Sequence, residues 1–163
     1  MTKDICSKKM ALVEKLGVHL EGRENLAPVA ARIMAYIILT GKQGTTFDDL
    51  VTNLCASKST ISTHLNHLQD LKKLEYFTKP SDRKKYFIVN VDTMLQSIDN
   101  MLKEWKSEKE LHEEIKAYKV DVNTILDQEH QFEFGYHDSS IEFLHGAILS
   151  ISKLKESLIN NDH

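Results

Sequence analysis

Apolar residues recur at spacings of three and four along most of the chain, which predicts a succession of amphipathic helices. The first helix is expected over residues 3–22, where a glycine supplies the end signal. A second is expected from Pro28, which suits a first helical turn, to Gly41, which suits a C-terminal cap. Thr45 or Thr46, each followed by an aspartate three residues on, opens a third helix in a capping-box pattern.

Ser57 is a favoured N-cap residue and opens a fourth helix. The inward face of this helix is expected to carry Ile61, Leu65, Leu68 and Leu71. Over residues 75–90 the period changes, because β-favouring residues flank the charged segment 78–85. This pattern predicts a two-stranded hairpin, and Pro80 suits the second position of a type I turn at its tip.

The helical pattern returns after Val91 and continues through most of the remaining chain. Residues 127–138 interrupt it with an irregular, aromatic segment. Ser139 and Glu142 then form a second capping-box pattern, which predicts that the last helix opens at Ser139. One apolar stripe runs through Met94, Ile98, Met101, Leu102 and Trp105 and, after a polar interval, Leu111, Ile115, Tyr118 and Val122.

A helix, a tight connection, a second helix and a basic hairpin follow one another in the order of a winged helix-turn-helix. The predicted fold is therefore mainly α with a small β-hairpin wing. We expect an N-terminal helix over residues 1–24, the winged helix-turn-helix over residues 25–91 and a C-terminal helical region over residues 92–163. The two flanking segments are expected to form a dimer.

Composition agrees with a helical fold and disfavours several other classes. Of 163 residues, 41% are hydrophobic and 28% charged, with only 6 Gly and 2 Pro, which disfavours disorder and a many-stranded β fold. Cys6 and Cys55 cannot form a disulfide framework. No apolar run has the length of a signal peptide or a membrane span, so we expect a cytoplasmic protein with reduced thiols.

The net charge of −3 is unevenly distributed along the chain. Residues 1–56 carry +1, residues 57–86 carry +4 and residues 87–163 carry −8. The basic block coincides with the fourth helix and the hairpin. No carboxylate lies between Ser57 and Gln69, so nothing on this stretch repels the phosphate backbone of DNA.

The face of the fourth helix opposite its apolar residues carries short hydroxyl and amide side chains. Such groups let a helix lie close to double-stranded DNA and donate to phosphates or base edges, and the helix N-terminus favours a phosphate. Cations at the hairpin tip neutralise phosphates, and an arginine there can enter a narrow minor groove. The predicted DNA-binding residues are Ser57, Lys58, Ser59, Thr60, Ser62, Thr63 and Asn66 on the helix and Lys79, Arg83, Lys84 and Lys85 on the hairpin.

Each of these signals has a plainer interpretation. A hydroxyl-rich helix start often serves only as a cap, and a lysine-rich turn is usually a solvated loop. Their order and spacing together favour a DNA-binding protein over either alternative. The competing hypothesis is a dimeric winged-helix adaptor that binds protein rather than DNA.

Three stretches of the chain carry a family resemblance: Leu26-Ala-Pro-Val-Ala-Ala-Arg-Ile33, Ser57-Lys-Ser-Thr-Ile-Ser-Thr-His-Leu65 and Lys79-Pro-Ser-Asp-Arg-Lys-Lys-Tyr86. With them, residues 26–90 resemble the MarR-type winged-helix regulators, most closely the branch of the GbsR repressors of glycine betaine synthesis. The family usually has glycine where Leu74-Glu75 follows the recognition helix, and often has glycine where Ser81 follows the wing proline. The resemblance implies a transcriptional regulator, in our reading a repressor that occludes a promoter.

Apolar stripes on the terminal helices exceed what a small monomeric core covers, and such helices pack together. In MarR-type regulators the N- and C-terminal helices form the dimer interface, so the resemblance implies a homodimer. A twofold dimer would place two recognition helices about 10 base pairs apart on a pseudo-palindrome. An intramolecular bundle is the alternative. The expected dimer residues are Leu12, Leu16, Ile98, Leu102, Trp105, Leu144, Ile148 and Ile151.

We predict no metal, no cofactor and no enzymatic activity. His64 and His67 lie three residues apart, but zinc requires about four ligands and no tight ligand spacing is present. A looser cluster comprises Glu129, His130, His137, Asp138 and His145. The sequence has no Gly-rich phosphate loop, nucleophile elbow or paired carboxylate set beside a base.

Aromatic residues of the C-terminal region could bind a small-molecule effector whose identity the sequence does not give. The betaine-related resemblance suggests a quaternary ammonium held by cation–π contact, although core or interface packing is the commoner role of such residues. The residues are Trp105, Tyr118, Phe132, Phe134, Tyr136 and Phe143. Cys55 could report oxidation, although a buried structural thiol is the commoner case.

Overall fold

Six α-helices and two β-strands make up the part of the chain that the structure, a computed structural model, describes, which is residues 3–161. The helices are α1 (Lys3–Glu24), α2 (Pro28–Thr40), α3 (Phe47–Asn53), α4 (Lys58–Asp70), α5 (Val91–Asn123) and α6 (Gly135–Asn161), and the strands are β1 (Leu74–Thr78) and β2 (Lys85–Val89). The strands pair antiparallel, with Leu74 opposite Val89 and Phe77 opposite Tyr86. The predicted fold class, mainly α with one β-hairpin, is confirmed.

The chain divides into two compact units at the Asn90–Val91 junction. In the first unit α1 packs along α2, and α2 packs on α4 and β2. Arg32 links the first two helices, because its guanidinium donates to Glu14 at 2.8 Å and to Glu21 at 2.6 Å. The core of this unit includes Val13, Leu20, Ala30, Ala31, Ile33, Ile37, Leu50, Ile61, Leu65, Leu68, Leu74 and Phe87.

The second unit consists of the antiparallel helices α5 and α6, which pack against each other. Lys155 donates to Asp99 at one end of the pair, and Lys116 donates to Asp138 towards the other, both at 2.5 Å. The polar interval within the predicted stripe does not interrupt α5, which is one continuous helix of 33 residues. None of the helices in residues 3–161 is long and apolar enough to span a membrane.

The predicted end of the first helix is wrong. Gly22 lies inside α1, where the space around its Cα is open. The helix ends instead at Glu24, because Asn25 adopts a left-handed conformation with φ of +52°. Asparagine tolerates this conformation better than most residues, which makes it an alternative to glycine at a helix end.

The predicted start of the last helix is also wrong. Asp138 N already donates to Phe134 O at 2.9 Å, so the helical bonds begin before Ser139 and α6 opens at Gly135. Leu71 was expected to face inward but is 43% exposed, because α4 ends at Asp70 and Leu71 is its C-cap.

Candidate nucleic-acid interface

Local hydrogen bonds fix the helix-turn-helix formed by α3 and α4. Thr46 and Asp49 form the predicted capping box, in which Asp49 N donates to Thr46 Oγ1 at 3.2 Å and Thr46 N donates to the Asp49 carboxylate at 3.0 Å. Cys55 turns the chain with φ of +50° and is exposed rather than buried. Ser57 then caps α4 by accepting from Thr60 N at 3.1 Å, as predicted.

The face of α4 opposite the core is open to solvent. Ser59, Thr63 and Asn66 are all exposed on this face. The Thr63 hydroxyl donates to Ser59 O at 3.0 Å, whereas no hydrogen bond from residues 3–161 occupies the Asn66 amide. An exposed amide can donate and accept at a base edge, so Asn66 is the side chain on this face best suited to base readout.

The remaining helix residues predicted to bind DNA lie around the start of α4. Ser57 Oγ lies 2.9 Å from Ser59 Oγ and 2.8 Å from Thr60 Oγ1, so these hydroxyls form one cluster at the helix N-terminus. Lys58 is exposed beside them. Thr60 and Ser62 are half-buried, because they lie at the margins of the open face.

The open face carries a carboxylate at its far end. Asp70 is exposed and lies four residues after Asn66, which places it on the same side of the helix. A duplex lying along the C-terminal end of α4 would therefore meet a negative charge. Only the N-terminal two-thirds of the helix suits contact with phosphates.

A backbone bridge joins the hairpin, hereafter the wing (residues 74–89), to the start of α3. Thr45 N donates to Phe87 O at 3.0 Å, and Phe87 N donates to Thr45 O at 2.9 Å. The preceding Gly44 has φ of +73°, and a Cβ on it would lie only 2.8 Å from Tyr86 Cβ. The bridge fixes the wing against the helix-turn-helix, and no local sequence pattern predicts it.

The wing tip is a turn closed by Asp82 N donating to Lys79 O at 3.0 Å. Pro80 occupies the second position, as predicted. The turn is not type I, however, because Ser81 at the third position has φ of +66°, which is typical of type II. Ser81 thus has a positive φ at the position where the MarR-type family, which the chain resembles, often has glycine.

The single carboxylate of the tip is engaged within the wing. Asp82 accepts from the Tyr86 hydroxyl at 2.6 Å and from Lys84 N at 2.9 Å. The hydrogen bond from Tyr86, and then the one from Lys84 N, lower the pKa of Asp82, while the same Tyr86 bond raises the pKa of the tyrosine. Asp82 therefore stays ionised and hydrogen-bonded beneath the tip.

Two of the four predicted wing cations lie over aromatic rings. Lys79 Nζ is 3.8 Å from the centre of the Tyr86 ring, and Lys85 Nζ is 4.1 Å from that of Tyr76. Both lysines remain exposed, so the rings position them without removing them from solvent.

The other two wing cations differ in their surroundings. Lys84 Nζ lies 3.7 Å from the Asp48 carboxylate in the first turn of α3. Arg83 is exposed, and no carboxylate or aromatic ring of residues 3–161 lies within ion-pair or cation–π distance of it. Arg83 is thus the wing cation most available to a phosphate.

The residues predicted to mediate dimerisation fall into three groups by exposure. Ile98 and Leu144 are already buried in the single chain, so their burial does not require a partner. Leu12 is 50% exposed. The half-buried members are Leu16, Leu102, Trp105, Ile148 and Ile151.

Two histidines of the second unit, His112 and His137, form a pair that the sequence pattern did not predict. His112 Nδ1 lies 2.9 Å from His137 Nδ1, and Lys119 Nζ lies 3.0 Å from His137 Nε2. Burial, and then Lys119 and His112, lower the pKa of His137. No three His, Cys, Asp or Glu side chains in the described part of the chain are close enough to share a metal ion.

Most of the aromatic residues considered for an effector site lie at the surface. Tyr118, Tyr136 and Phe143 are all exposed, and Phe132 is 41% exposed. The Phe132 ring lies 5.2 Å from Lys119 Nζ, a cation of the chain itself. The effector stays a prediction.

Comparison with known proteins gives a likeness of fold. No family model matches the chain, and no protein with a curated description does. A crystal structure described as a transcriptional regulator matches 94% of this chain and 99% of its own, with a TM-score of 0.50 and 17% identity. S. aureus MepR matches 78% of this chain and 98% of its own in a structure bound to ethidium bromide (TM-score 0.40, 17% identity), and 77% and 99% in a DNA complex (TM-score 0.39, 17% identity).

The likeness to MepR is too low to establish a common fold. The first match extends over nearly all of both chains, and at its level of identity it shows the fold alone. The chain therefore has the fold of that transcriptional regulator, a winged helix-turn-helix with long helices before and after it in sequence.

Proposed function

We propose that the protein is a homodimeric transcriptional regulator that binds double-stranded DNA, with α4 in the major groove and the wing tip in the neighbouring minor groove. The observation that carries the proposal is the pairing of two surfaces in one unit. The open face of α4 has no carboxylate before Asp70, and the wing beside it presents Lys79, Arg83, Lys84 and Lys85. The Thr45–Phe87 bridge fixes the two surfaces against each other.

The roles of individual residues follow from their exposure. We assign base readout to Asn66, with Ser59 and Thr63 close to it on the open face. Ser57 and Lys58 at the helix start, together with Thr60 and Ser62 at the margins, are assigned to the phosphate backbone. Arg83 is assigned to the minor groove, and the wing lysines to its flanking phosphates.

The fold of a transcriptional regulator supports this proposal, as does the resemblance of the three quoted stretches to MarR-type regulators. We propose membership of that family on these grounds. A repressor that occludes a promoter, and the branch of the GbsR repressors, are our finer proposals.

Homodimerisation is proposed through the apolar surface that the second unit leaves exposed. Leu111 and Tyr118 lie seven residues apart on α5, and Tyr136 and Phe143 lie seven apart on α6, so each pair forms part of a helical stripe. These four side chains are between 55% and 74% exposed. A second copy of the chain would cover them and place a second α4 on the same duplex, as base discrimination by one short helix requires.

The test is a cross-linked pull-down of the full chain from cells that express it, with DNA and protein recovered separately. We expect enrichment of a short duplex sequence with twofold symmetry. Enrichment of one protein without DNA would instead support the adaptor hypothesis and contradict ours.

The recovered sequence then tests base readout. Asn66→Ala is expected to relax sequence preference at one position of each half-site, with a discrimination loss of about 1–3 kcal/mol. Asn100→Ala, on the exposed side of α5, is the matched control and should leave the preference unchanged. Uniform weakening across all sequences would contradict a base-reading role for Asn66.

A further inference from the structure

A cleft of about 370 Å³ separates α4 from the wing. It is lined by Ser62, Asn66 and Gln69 of α4, by Lys84 and Lys85 of the wing, and by Asp48 of α3, among others. A helix in a major groove and a wing in the adjacent minor groove straddle the sugar–phosphate strand between the two grooves. If the proposed function holds, on which this inference rests, that strand lies along the cleft.

Asp48 is not expected in a cleft that holds a phosphate backbone, because its carboxylate would repel the phosphates. The neighbouring Asp49 has a different role. The Asp49 carboxylate accepts from Thr46 N at 3.0 Å and from Thr46 Oγ1 at 2.6 Å, so the fold uses it as a cap. The Asp48 carboxylate is 66% exposed, and Lys84 is its ion-pair partner. Asp48 takes no part in the capping box of α3.

The position of Asp48 affects the electrostatics of the wing. Its carboxylate offsets part of the positive potential of Lys84, and it repels any phosphate that enters the cleft. The pair is exposed and 3.7 Å long, so it is weak in water and a phosphate can compete for the lysine. Arg83, one residue earlier, has no such competitor among residues 3–161. The two adjacent wing cations, Arg83 and Lys84, therefore differ in how available they are to a phosphate.

We propose that Asp48 limits the affinity of this interface for the DNA backbone by competing with phosphate for Lys84. The expected consequence is stronger discrimination between the target sequence and non-specific DNA. A regulator that binds every duplex tightly is titrated by non-specific DNA, so a carboxylate that weakens backbone contact makes binding depend more on the bases that α4 reads.

The test compares Asp48→Asn with the wild-type full chain on a random-sequence duplex, by fluorescence anisotropy over a salt series. We expect Asp48→Asn to bind about three- to tenfold more tightly at low salt, with a slope of log affinity against log salt steeper by about 0.9, because one more phosphate is neutralised. In a Lys84→Gln background the same substitution should gain much less. Binding to the sequence recovered from cells should improve less than binding to the random duplex.

Asp4→Asn is the matched control, because Asp4 is also an exposed acid that pairs with a lysine, Lys8, at 2.8 Å. An equal gain from Asp4→Asn would show an effect of net charge alone and would overturn the proposal. Unchanged or weaker binding by Asp48→Asn would overturn it too.

A second comparison does not depend on the stability of the Asp48 variant. Arg83→Gln should lower affinity for the random duplex more than Lys84→Gln does, because Asp48 already engages the lysine. Equal losses would overturn the proposal. A wild-type chain that binds no duplex at any salt concentration would overturn the proposed function itself, and this inference with it.

Discussion

The first unit buries a core of its own, whereas the second fully buries few of its large apolar side chains. From α1 to the wing, apolar residues from every helix and both strands converge in one cluster. Among the described residues of α5 and α6, Ile98 and Leu144 are the buried apolar ones, while Leu111, Tyr118 and Phe143 are more than half exposed. Two helices have too little volume between them to enclose such side chains, so a unit of this kind gains most from a second copy.

The comparison predicts that the first unit is sensitive to added volume, and Gly44 is the glycine with the least room for a side chain. Gly44→Ala should destabilise this unit by about 4 kcal/mol, since the backbone conformation of Gly44 (φ +73°, ψ 160°) costs other residues about 1–3 kcal/mol and overpacking costs about 1–3 kcal/mol. The added Cβ would meet Tyr86 Cβ at 2.8 Å. Urea unfolding followed by circular dichroism measures the loss.

Gly41→Ala is the control that measures the cost of the backbone conformation without the steric contact. Gly41 has φ of +70° and ψ of −152° with no atom within 4 Å of an added Cβ, so its substitution should cost only the backbone strain, about 2 kcal/mol. Equal losses at the two glycines would show that the contact with the wing is not tight.

In the second unit the sensitive property should be association rather than folding. Phe143→Glu is expected to raise the dimer dissociation constant at least tenfold, or about 1.4 kcal/mol, because it places an unpaired carboxylate in an apolar contact. Sedimentation equilibrium measures this constant. Leu149→Glu is the control: Leu149 is 51% exposed but lies six residues on, on a different face of α6. Equal effects of the two variants would contradict the proposed surface.

The tip of the wing, residues 79–85, should contribute charge without contributing to the core. Arg83→Ala is expected to weaken binding to a random duplex several-fold and to lower the salt slope by about 0.9, as loss of one phosphate contact requires. Arg23→Ala, an exposed arginine in the last turn of α1, should change neither. An unchanged slope for Arg83→Ala would remove Arg83 from the set of phosphate contacts.

The smallest expected effect concerns the histidine pair of the second unit. Burial lowers the pKa of His137 from 6.5, and Lys119, His112 and Asp138 are the charged or titratable groups that face it. As pH falls, His137 is therefore protonated in the unfolded chain before it is protonated in the folded chain. The free energy of unfolding should decrease as pH drops through 6.5. Urea midpoints from the emission of Trp105, the single tryptophan, measure the change. His137→Gln should flatten it, and a wild-type midpoint independent of pH would contradict the pKa direction.

Local signals explain why so much of the first unit could be predicted. Pro28, Thr46 and Ser57 specify helix starts through their own hydrogen-bonding chemistry, so neighbouring residues suffice to place α2, α3 and α4. The same approach failed at Ser139, where a capping-box pattern lies inside α6 because the helical bonds already begin at Phe134.

Contacts between distant residues could not be predicted in this way. Thr45 and Phe87 are far apart in sequence, as are His112 and His137, and no local periodicity specifies either pair. The Asp48–Lys84 contact is of the same kind, because it exists only once the wing is fixed against α3. Local sequence patterns therefore propose a set of candidate interface residues, whereas differences in the availability of these residues depend on tertiary structure.

The most direct test of the proposed interface places a carboxylate on the open face of α4. Asn66→Asp is nearly isosteric at an exposed position, so the fold should be preserved while a charge is added opposite the phosphates. The duplex recovered from cells should then bind at least tenfold more weakly, by about 1.4 kcal/mol, whereas Asn100→Asp on α5 should bind as the wild type does. Equal affinity of the wild type and Asn66→Asp would contradict a duplex lying against this face.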